Sequence, residues 1–279
     1  MLGLGSRVSK GGILSTGFVD PSSIASLRIW YKHDTGMSTA AGETSAAGDI
    51  DNGDQIIQWS DQSGQDNHAT QSTGTDCPKY NNPVSGGPTD GSLHFASNSK
   101  WFDLTSALDI AENEDFTFAM QVKFQDNNSR GLFGHDGSNF LTRESTSTFR
   151  VVISDSAQSN FTEASDTVDG HNTFSSANYY SLILIRSGGA SPVLKLYVDN
   201  TNNGNDYSNK QWGDTNGKNS DGDVNSSGDG DQFDISNLGC KADDAGELKG
   251  WMRHFSYYNE AISDSDRASL FTYMSNIGS

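Results

Sequence analysis

The alternation of apolar and polar side chains constrains the fold of this 279-residue chain more than any other feature. The clearest example is the segment 116–124, in which every even-numbered position is apolar. Successive side chains of an extended strand point to opposite sides, so this spacing predicts a strand with one buried face. Segments 149–153 and 194–198 repeat the pattern. Segment 180–185 is apolar on both faces, which predicts a central strand covered on both sides.

Short apolar segments of the same kind recur along the rest of the chain, at 27–31, 56–59, 93–95 and 251–257. Clusters of Gly, Asn, Asp and Ser, such as 126–129, separate the predicted strands. These residue types readily adopt the backbone angles that tight turns require. Many short strands separated by turns predict an all-β fold, a jelly-roll sandwich of two curved antiparallel sheets.

One helix is predicted, at the C-terminus. Ser263 offers a hydroxyl group as the N-cap, and Asp266 follows three residues later, close to the pattern of a capping box. Apolar residues then follow at helical spacing: Leu270, Phe271, Tyr273, Met274 and Ile277. We expect a short amphipathic helix that packs on the sandwich.

The charge balance excludes two classes of partner. The chain has 18 Lys and Arg residues and 36 Asp and Glu residues, a formal net charge of -18. Such a chain repels phosphate backbones and anionic lipids, so we expect no nucleic-acid partner. It contains no run of 18 apolar residues, and we expect no insertion into a membrane. The two cysteines, Cys77 and Cys240, are predicted to be separate thiols rather than one long-range disulfide.

Two segments depart from the strand pattern. Residues 1–25 form a Gly- and Ser-rich arm, and residues 26–279 form the predicted jelly-roll domain. The arm is either an anchor held by neighbouring subunits or an edge strand of the chain's own sandwich. Its first residues lack the continuous apolar stretch of a signal peptide. A polar insertion at 199–234 interrupts the domain, and long insertions in compact domains are usually functional or disordered.

The insertion is also a candidate calcium site. Oxygen-bearing side chains recur along it at Asp214, Asn216, Asp221, Asp223, Asp229 and Asp231. Ca²⁺ binds six to eight oxygen ligands, which alternating Asp and Asn residues in a Gly-rich loop can supply. The spacing does not match an EF-hand, because Ser226 stands where that loop requires Gly. The alternative is a solvated acidic loop without metal.

Two stretches carry a resemblance to a known family. The first contains Trp59, Asp61, Ser63 and Gly64, followed by Asn67-His68-Ala69, and the second is 250–267. Together they resemble concanavalin A-like, laminin G-like jelly-roll domains. That resemblance implies carbohydrate binding, and sugar sites need an exposed aromatic ring flanked by hydrogen-bonding groups. The candidates are Tyr207, Trp212, Asp214 and Asn216 in the insertion, with Trp101 second. Trp212 has the alternative role of anchoring the insertion on the sandwich.

The residues of the first stretch are predicted to be structural. The ring of Trp59 can be buried, while Asp61 and Ser63 bond backbone N–H groups of the turn that Gly64 permits. His68 lies too close in sequence to Asp61 and Ser63 for the three to form a hydrolase triad, which joins distant segments. We therefore expect this stretch to stabilise the fold and not to catalyse a reaction.

The opening of the arm, 1–6, resembles the start of virion proteins from marine tailed phages. The predicted function is therefore that of a non-enzymatic virion protein, a capsid decoration, fibre or appendage. Its partners would be other virion proteins, copies of itself and host glycans. The strand-borne Glu-x-Asp-x-x-Glu run of laminarinase-type glucanases is absent from the sequence. The alternative is a secreted or cell-surface carbohydrate-binding module.

Overall fold

A computed structural model of the protein describes residues 20–39, 50–81, 88–95, 100–145, 148–154, 157–162, 176–200, 211–214, 231–242 and 246–277. Most of the arm 1–25 therefore lies outside the described residues. In chain order the strands are β1 (Leu27–Tyr31), β2 (Met37–Ser38), β3 (Gln58–Trp59), β4 (Ala69–Thr70), β5 (Lys79–Tyr80), β6 (Leu93–Phe95), β7 (Phe102–Ile110), β8 (Phe116–Phe124), β9 (Arg130–Gly134), β10 (Phe140–Arg143), β11 (Thr148–Ile153), β12 (Ala157–Thr162), β13 (Tyr180–Ser187), β14 (Val193–Asn200), β15 (Gln211–Asp214), β16 (Phe233–Leu238) and β17 (Gly250–Tyr258). The helix α1 spans Asp264–Ser275, and short 3-10 turns lie at Pro21–Ser23 and Gly74–Asp76.

The strands form two antiparallel sheets. In sheet A, β17 pairs with β8 on one side and with β1 and β6 on the other. Sheet A continues from β8 through β13 to β14, and β5 pairs with β6. Sheet B has the order β2, β3, β4, β7, β16, β9, β10, β11, β12. This arrangement confirms the predicted all-β sandwich with a short C-terminal helix.

Strand β15 connects the two sheets along one side of the sandwich. Its first half pairs with β14 of sheet A, with Trp212 opposite Leu196. Its second half pairs with β12 of sheet B, with Asp214 opposite Phe161. The polar insertion 199–234 therefore contains a strand that pairs with both sheets.

The core between the sheets is rich in aromatic rings. The even-numbered residues of β8 point into it, as the alternation predicts. The ring centroids of Phe118 and Phe133 lie 4.6 Å apart, and those of Phe118 and Tyr257 lie 5.0 Å apart. Such pairs contribute beyond the area that they bury.

The outer face of sheet A is covered by the C-terminal helix. The hydroxyl group of Ser263 accepts a hydrogen bond from the backbone N–H of Asp266 at 3.1 Å, which confirms the predicted N-cap. Apolar side chains of α1, including Leu270 and Met274, pack with Ile183 of β13 and Ala119 of β8. Strand β13 is thus buried on both faces, as predicted.

The outer face of sheet B is exposed along β7. Phe102 and Leu104 point into the core, while Asp103 and Thr105 are exposed. Further along the sheet, the segment 239–242 crosses the outer side of β9. A Cβ atom at Gly134 would collide with the carbonyl oxygen of Lys241, so only glycine allows this close approach.

Two other predictions concern the whole chain. Cys77 and Cys240 are both buried, and no disulfide joins them, as predicted. In the part of the chain that the structure describes, no helix has the length and apolar character needed to cross a membrane.

Candidate functional site

Trp101 lies just before β7, on the exposed face of sheet B. Its indole Nε1 donates a hydrogen bond to Oδ1 of Asp103 at 3.0 Å. The two residues are two positions apart in the chain, so they lie on the same side of the strand. Trp101 is half-buried and Asp103 is exposed, which leaves part of the indole ring accessible beside a carboxylate.

A chain of hydrogen bonds extends from Asp103 to the neighbouring strands. Asn237 lies opposite Asp103 in the pairing of β16 with β7, and its Nδ2 donates to Asp103 Oδ1 at 2.8 Å. The hydroxyl group of Ser236 donates to Asn237 Oδ1 at 2.9 Å and lies 2.8 Å from Nδ1 of His135. Because the Ser236 hydroxyl group donates to Asn237, its oxygen is left to accept a hydrogen bond from Nδ1 of His135. We call these five residues the Trp101 network.

The Trp101 network combines the groups that recognise a sugar ring. A partly exposed indole can pack against the C–H face of a pyranose, while an exposed carboxylate and an exposed imidazole can bond its hydroxyl groups. Asn237 is almost fully buried, so its amide is held in a fixed orientation by Asp103 and Ser236. A site built on strands keeps such groups in place without further ordering on binding.

The exposed face around the Trp101 network is acidic. The side-chain Nε2 of Gln232 donates to Oδ1 of Asp109 at 2.8 Å and to Oδ1 of Asp234 at 3.0 Å. Asp109 and Asp234 lie opposite each other in the pairing of β7 with β16, on the same two strands as Asp103 and Asn237. Asp103 lies six positions along β7 from Asp109, so the three carboxylates share one face of sheet B, and their negative potential disfavours an anionic ligand and favours a neutral one.

The motif residues around Asp61 form a tight turn against the edge of sheet A. Asp61 Oδ1 accepts hydrogen bonds from the backbone N–H groups of Trp30 and Ser63, both at 2.9 Å. Its Oδ2 accepts from the hydroxyl group of Ser63 at 2.8 Å and from the backbone N–H of Asn67 at 3.2 Å. Because Trp30 belongs to β1, this turn covers the free edge of that strand.

The other residues of the motif support the same turn. The backbone N–H of Asp61 donates to Nδ1 of His68 at 3.1 Å. Gly64 has a φ of 84°, a conformation that favours glycine. Trp59 is fully buried, and its Nε1 donates to the backbone oxygen of Lys32 at 3.0 Å. Of the four hydrogen bonds to the Asp61 carboxylate described above, three come from backbone N–H groups and one from the Ser63 hydroxyl group, so the carboxylate holds the turn in place.

Most of the sugar and calcium candidates in the insertion lie outside the described residues: Tyr207, Asn216, Asp221, Asp223 and Asp229. For Trp212 and Asp214 the structure gives the backbone pairing in β15 and nothing of the side chains. Within the described ranges no group of three or more His, Cys, Asp or Glu residues could hold a metal ion. The calcium site therefore stays a prediction.

Asp231 lies at the point where the insertion rejoins the sandwich. Its backbone oxygen accepts a hydrogen bond from Nη1 of Arg186 at 2.8 Å. Arg186 is fully buried and also donates to the backbone oxygens of Glu114, at 2.6 Å, and Ala111, at 2.9 Å. One buried guanidinium group thus fixes the end of the insertion to the turn before β8.

Sequence reasoning placed Trp101 among the sugar-binding candidates but missed its partners Asp103, Asn237, Ser236 and His135. A local signal was present, since Trp101 and Asp103 alternate with the apolar Phe102 and Leu104. The pairing of Asp103 with Asn237 joins residues that are 134 positions apart. No pattern in one sequence predicts that contact.

Comparisons with known proteins identify the fold. The sequence matches no family model, and no curated protein matches it. A Trypanosoma rangeli sialidase in complex with 2,3-difluorosialic acid has a TM-score of 0.53 at 13% identity, over 91% of this chain and 34% of the sialidase. The binding domain of Paraclostridial Mosquitocidal Protein 1 has a TM-score of 0.54 at 11% identity, over 88% of this chain and 53% of that chain. The chain thus spans about a third of the first protein and about half of the second.

These comparisons correct the prediction that the protein is non-enzymatic. Sialidases are among the structures that share its fold over most of its length. The prediction relied on the absence of one carboxylate pattern, and that absence excludes one type of glycosidase only, since other enzymes place their catalytic groups differently. At 13% identity the likeness shows the fold, and it assigns no catalytic residue to this chain.

Proposed function

We propose that this chain is a carbohydrate-binding domain and that the Trp101 network on the exposed face of sheet B contacts the sugar. The observation that carries the proposal is the half-buried Trp101 indole bonded to the exposed Asp103 carboxylate. An aromatic ring beside oriented polar groups is the arrangement that binds a sugar through both its C–H face and its hydroxyl groups.

The named structures support a binding role for a domain of this fold. One of them is described as the binding domain of a larger protein, and another holds a sialic acid derivative. The charge of the site points to a different class of sugar in this chain. Asp103, Asp109 and Asp234 lie on neighbouring strands, so we propose neutral hexoses or their oligomers as the ligand.

A glycan array tests the proposal, with wild-type protein, Trp101→Ala and Trp101→Phe. We expect wild type to bind neutral glycans and Trp101→Ala to lose this signal, because the stacking surface is removed. Trp101→Phe retains a ring but loses the bond to Asp103, and it should bind at an intermediate level. Thr272→Ala, at an exposed position of α1, is the matched control and should bind like wild type. Equal binding by wild type and Trp101→Ala, or no binding by either, contradicts the proposal.

The insertion residues extend the proposal. Tyr207, Trp212, Asp214 and Asn216 would form a second sugar-contacting platform, reached from β15 at the side of the sandwich. The same array with Trp212→Ala separates this role from the alternative one, in which Trp212 anchors the insertion. Lost binding with an unchanged melting temperature supports the platform, and unchanged binding with a lower melting temperature supports the anchor.

The setting of the domain is proposed from the sequence alone. The resemblance of the opening of the arm, 1–6, to phage virion proteins favours a place on the surface of a tailed-phage particle, as a decoration, fibre or appendage that contacts host glycans. The alternative is an extracellular or cell-surface module. The structures named above share the fold of the sandwich, and they support neither the phage particle nor the cell surface as its location.

A further inference from the structure

A row of polar side chains lies on the outer face of sheet A beneath α1. Gln121 of β8 is opposite His254 of β17 on one side and opposite Ser181 of β13 on the other. Directly opposed residues of antiparallel strands point to the same face, so the three side chains line up across three strands. The neighbours Met120 and Val122 point into the core, so the row faces outwards. All three polar residues are at most 1% exposed, and we call them the polar row.

The C-terminal half of α1 covers the polar row. The side-chain Nε2 of Gln121 donates to the backbone oxygen of Met274 at 2.7 Å, and the ring centroid of Tyr273 lies 5.3 Å from that of His254. A helix on a sheet is stabilised mainly by the apolar face that it buries, so apolar side chains are expected beneath it. Here the helix covers an imidazole, a carboxamide and a hydroxyl group, which weakens its hold on the sheet.

The covered arrangement leaves two polar atoms of this row unpaired. Neither Oε1 of Gln121 nor Nδ1 of His254 has a hydrogen-bond partner among the described residues, and both atoms are buried. The other ring nitrogen of His254, Nε2, lies 3.0 Å from the hydroxyl group of Ser256. An unpaired buried polar atom costs free energy, and contact with water removes that cost. Uncovering the polar row therefore recovers part of the free energy that lifting α1 requires.

Helix α1 can move without disturbing the pairing of the strands. The backbone N–H groups of a helix bond within the helix, so they stay paired when it moves as a unit. The bonds from sheet A to its C-terminal end come from Gln121 and from Arg253, which donates from Nη1 to the backbone oxygen of Ile277 at 2.9 Å. Leu270 and Phe271 belong to an apolar cluster that is separate from the core between the sheets. We therefore expect α1 to open at a lower free energy than the sandwich unfolds.

The imidazole group of His254 makes this opening sensitive to pH. Burial is the main cause that lowers its pKa to about 3, His33 lowers it further, and Asp20 opposes both. From α1 the ring of Tyr273 packs against it, and the other two residues of the polar row carry no charge. When α1 is lifted, the imidazole reaches water and binds a proton at its ordinary pKa of 6.5. The open form is therefore favoured as the pH falls below 6.5, and above 6.5 this histidine contributes no pH dependence.

We propose that α1 is a cover that opens as one unit in acid and exposes the polar row to water while the two sheets stay paired. The domain then has two forms, one in which the outer face of sheet A is covered and one in which its polar row and apolar residues meet the solvent. This change of surface is independent of sugar binding at the Trp101 network, which lies on the other sheet.

Native-state hydrogen exchange followed by NMR tests this proposal, with protection factors corrected for the intrinsic pH dependence of exchange. At pH 7 the amides of 268–274 should share one protection factor, at least about ten-fold below those of β8 and β13, because they exchange through a smaller opening. Between pH 7 and pH 5 this factor should fall by up to about thirty-fold, since the open form binds a proton at His254. His254→Gln should abolish the fall, because a carboxamide group does not titrate in this range.

His94→Gln is the matched control. His94 is also fully buried on sheet A and its pKa is lowered mainly by burial, but its ring stacks on Trp251, at a centroid distance of 4.5 Å. Lifting α1 leaves that stack in place, so His94→Gln should keep the pH dependence of the α1 amides. If these amides exchanged through unfolding of the whole domain, both histidines would contribute and His94→Gln would reduce the fall as well. That result overturns the proposal, and so does a protection factor of α1 that equals that of the strands or does not change with pH.

Discussion

The outer face of sheet A is covered by α1 and the outer face of sheet B is exposed along β7, although the same alternation of side chains occurs in both sheets. Strand β8 of sheet A alternates apolar and more polar residues, and nearly all of them are buried because α1 covers its outer side. Strand β7 of sheet B also alternates, and its outward residues are mostly exposed. The difference shows that alternation decides which residues enter the core, while a covering element decides whether the other face contacts water.

A covered face must provide hydrogen-bond partners for its polar side chains. The side-chain Nε2 of Gln121 in β8 finds such a partner in α1, since it donates to the backbone oxygen of Met274 at 2.7 Å. His254 of β17 lies 3.0 Å from the hydroxyl group of Ser256 and packs against the ring of Tyr273. On the exposed face, water can supply the partners, so side chains such as Asp103 remain available for a ligand.

The largest effect expected from this comparison is the loss of packing on the covered face. Leu270 is fully buried between α1 and sheet A, so Leu270→Ala should lower the free energy of unfolding by about 2–5 kcal/mol. Urea denaturation followed by circular dichroism measures it. The control is Thr272→Ala, on the exposed side of the same helix, which should change stability by less than about 0.5 kcal/mol. Similar losses in both variants would mean that α1 does not cover sheet A.

The next effect is a pH dependence that belongs to the covered face. Complete burial lowers the pKa of His254 from 6.5 to about 3. The unfolded chain therefore gains a proton below pH 6.5 that the folded chain excludes, and stability falls as the pH drops from 6.5 towards 3, by up to about 1.4 kcal/mol per pH unit. Above pH 6.5 this histidine contributes no pH dependence.

His254→Gln should reduce this acid sensitivity, which urea midpoints measured at pH 7 and pH 4.5 would reveal. The carboxamide group can still bond Ser256 but does not titrate in this range. Thr272→Ala, at an exposed position of α1, changes no titratable group, so it is the control and should retain the slope of wild type. A slope that is the same in all three proteins would contradict the covered position of His254.

The smallest effect is expected on the exposed face. Trp101 is half-buried, and its replacement removes one hydrogen bond to an exposed carboxylate. Trp101→Ala should therefore lower the free energy of unfolding by less than about 1 kcal/mol, measured in the same urea titration. A loss as large as that of Leu270→Ala would show that Trp101 is part of the packing of the domain rather than a surface for a ligand.

Much of the fold could be predicted from the sequence because it follows from local patterns. The even-numbered residues of β8 and the apolar segment of β13 are buried as their spacing predicts. The N-cap at Ser263 is equally local, since its hydroxyl group bonds a backbone group three residues away. These features depend on neighbours in the chain and need no knowledge of the topology.

The parts that could not be predicted depend on contacts between distant residues. The Trp101 network requires β7 to pair with β16, and the ion pair of Arg253 with Asp90 joins residues that are 163 positions apart. Alternation marks Lys123 and His254 as outward polar residues, which predicts contact with water. Whether such a face is covered depends on where α1 packs, and a single sequence does not show this.

Arg186 donates hydrogen bonds to three backbone oxygens, and these bonds affect how much the polar insertion can vary. One of them, that of Asp231, is the point at which the polar insertion returns to the sandwich. At its other end the insertion starts at the end of β14, and the strand β15 within it is paired to both sheets. With both ends fastened, a change in the length of the intervening chain costs little, since the entropy of loop closure grows slowly with length. The sandwich can therefore carry surface loops of different length and sequence at this position while its framework remains the same.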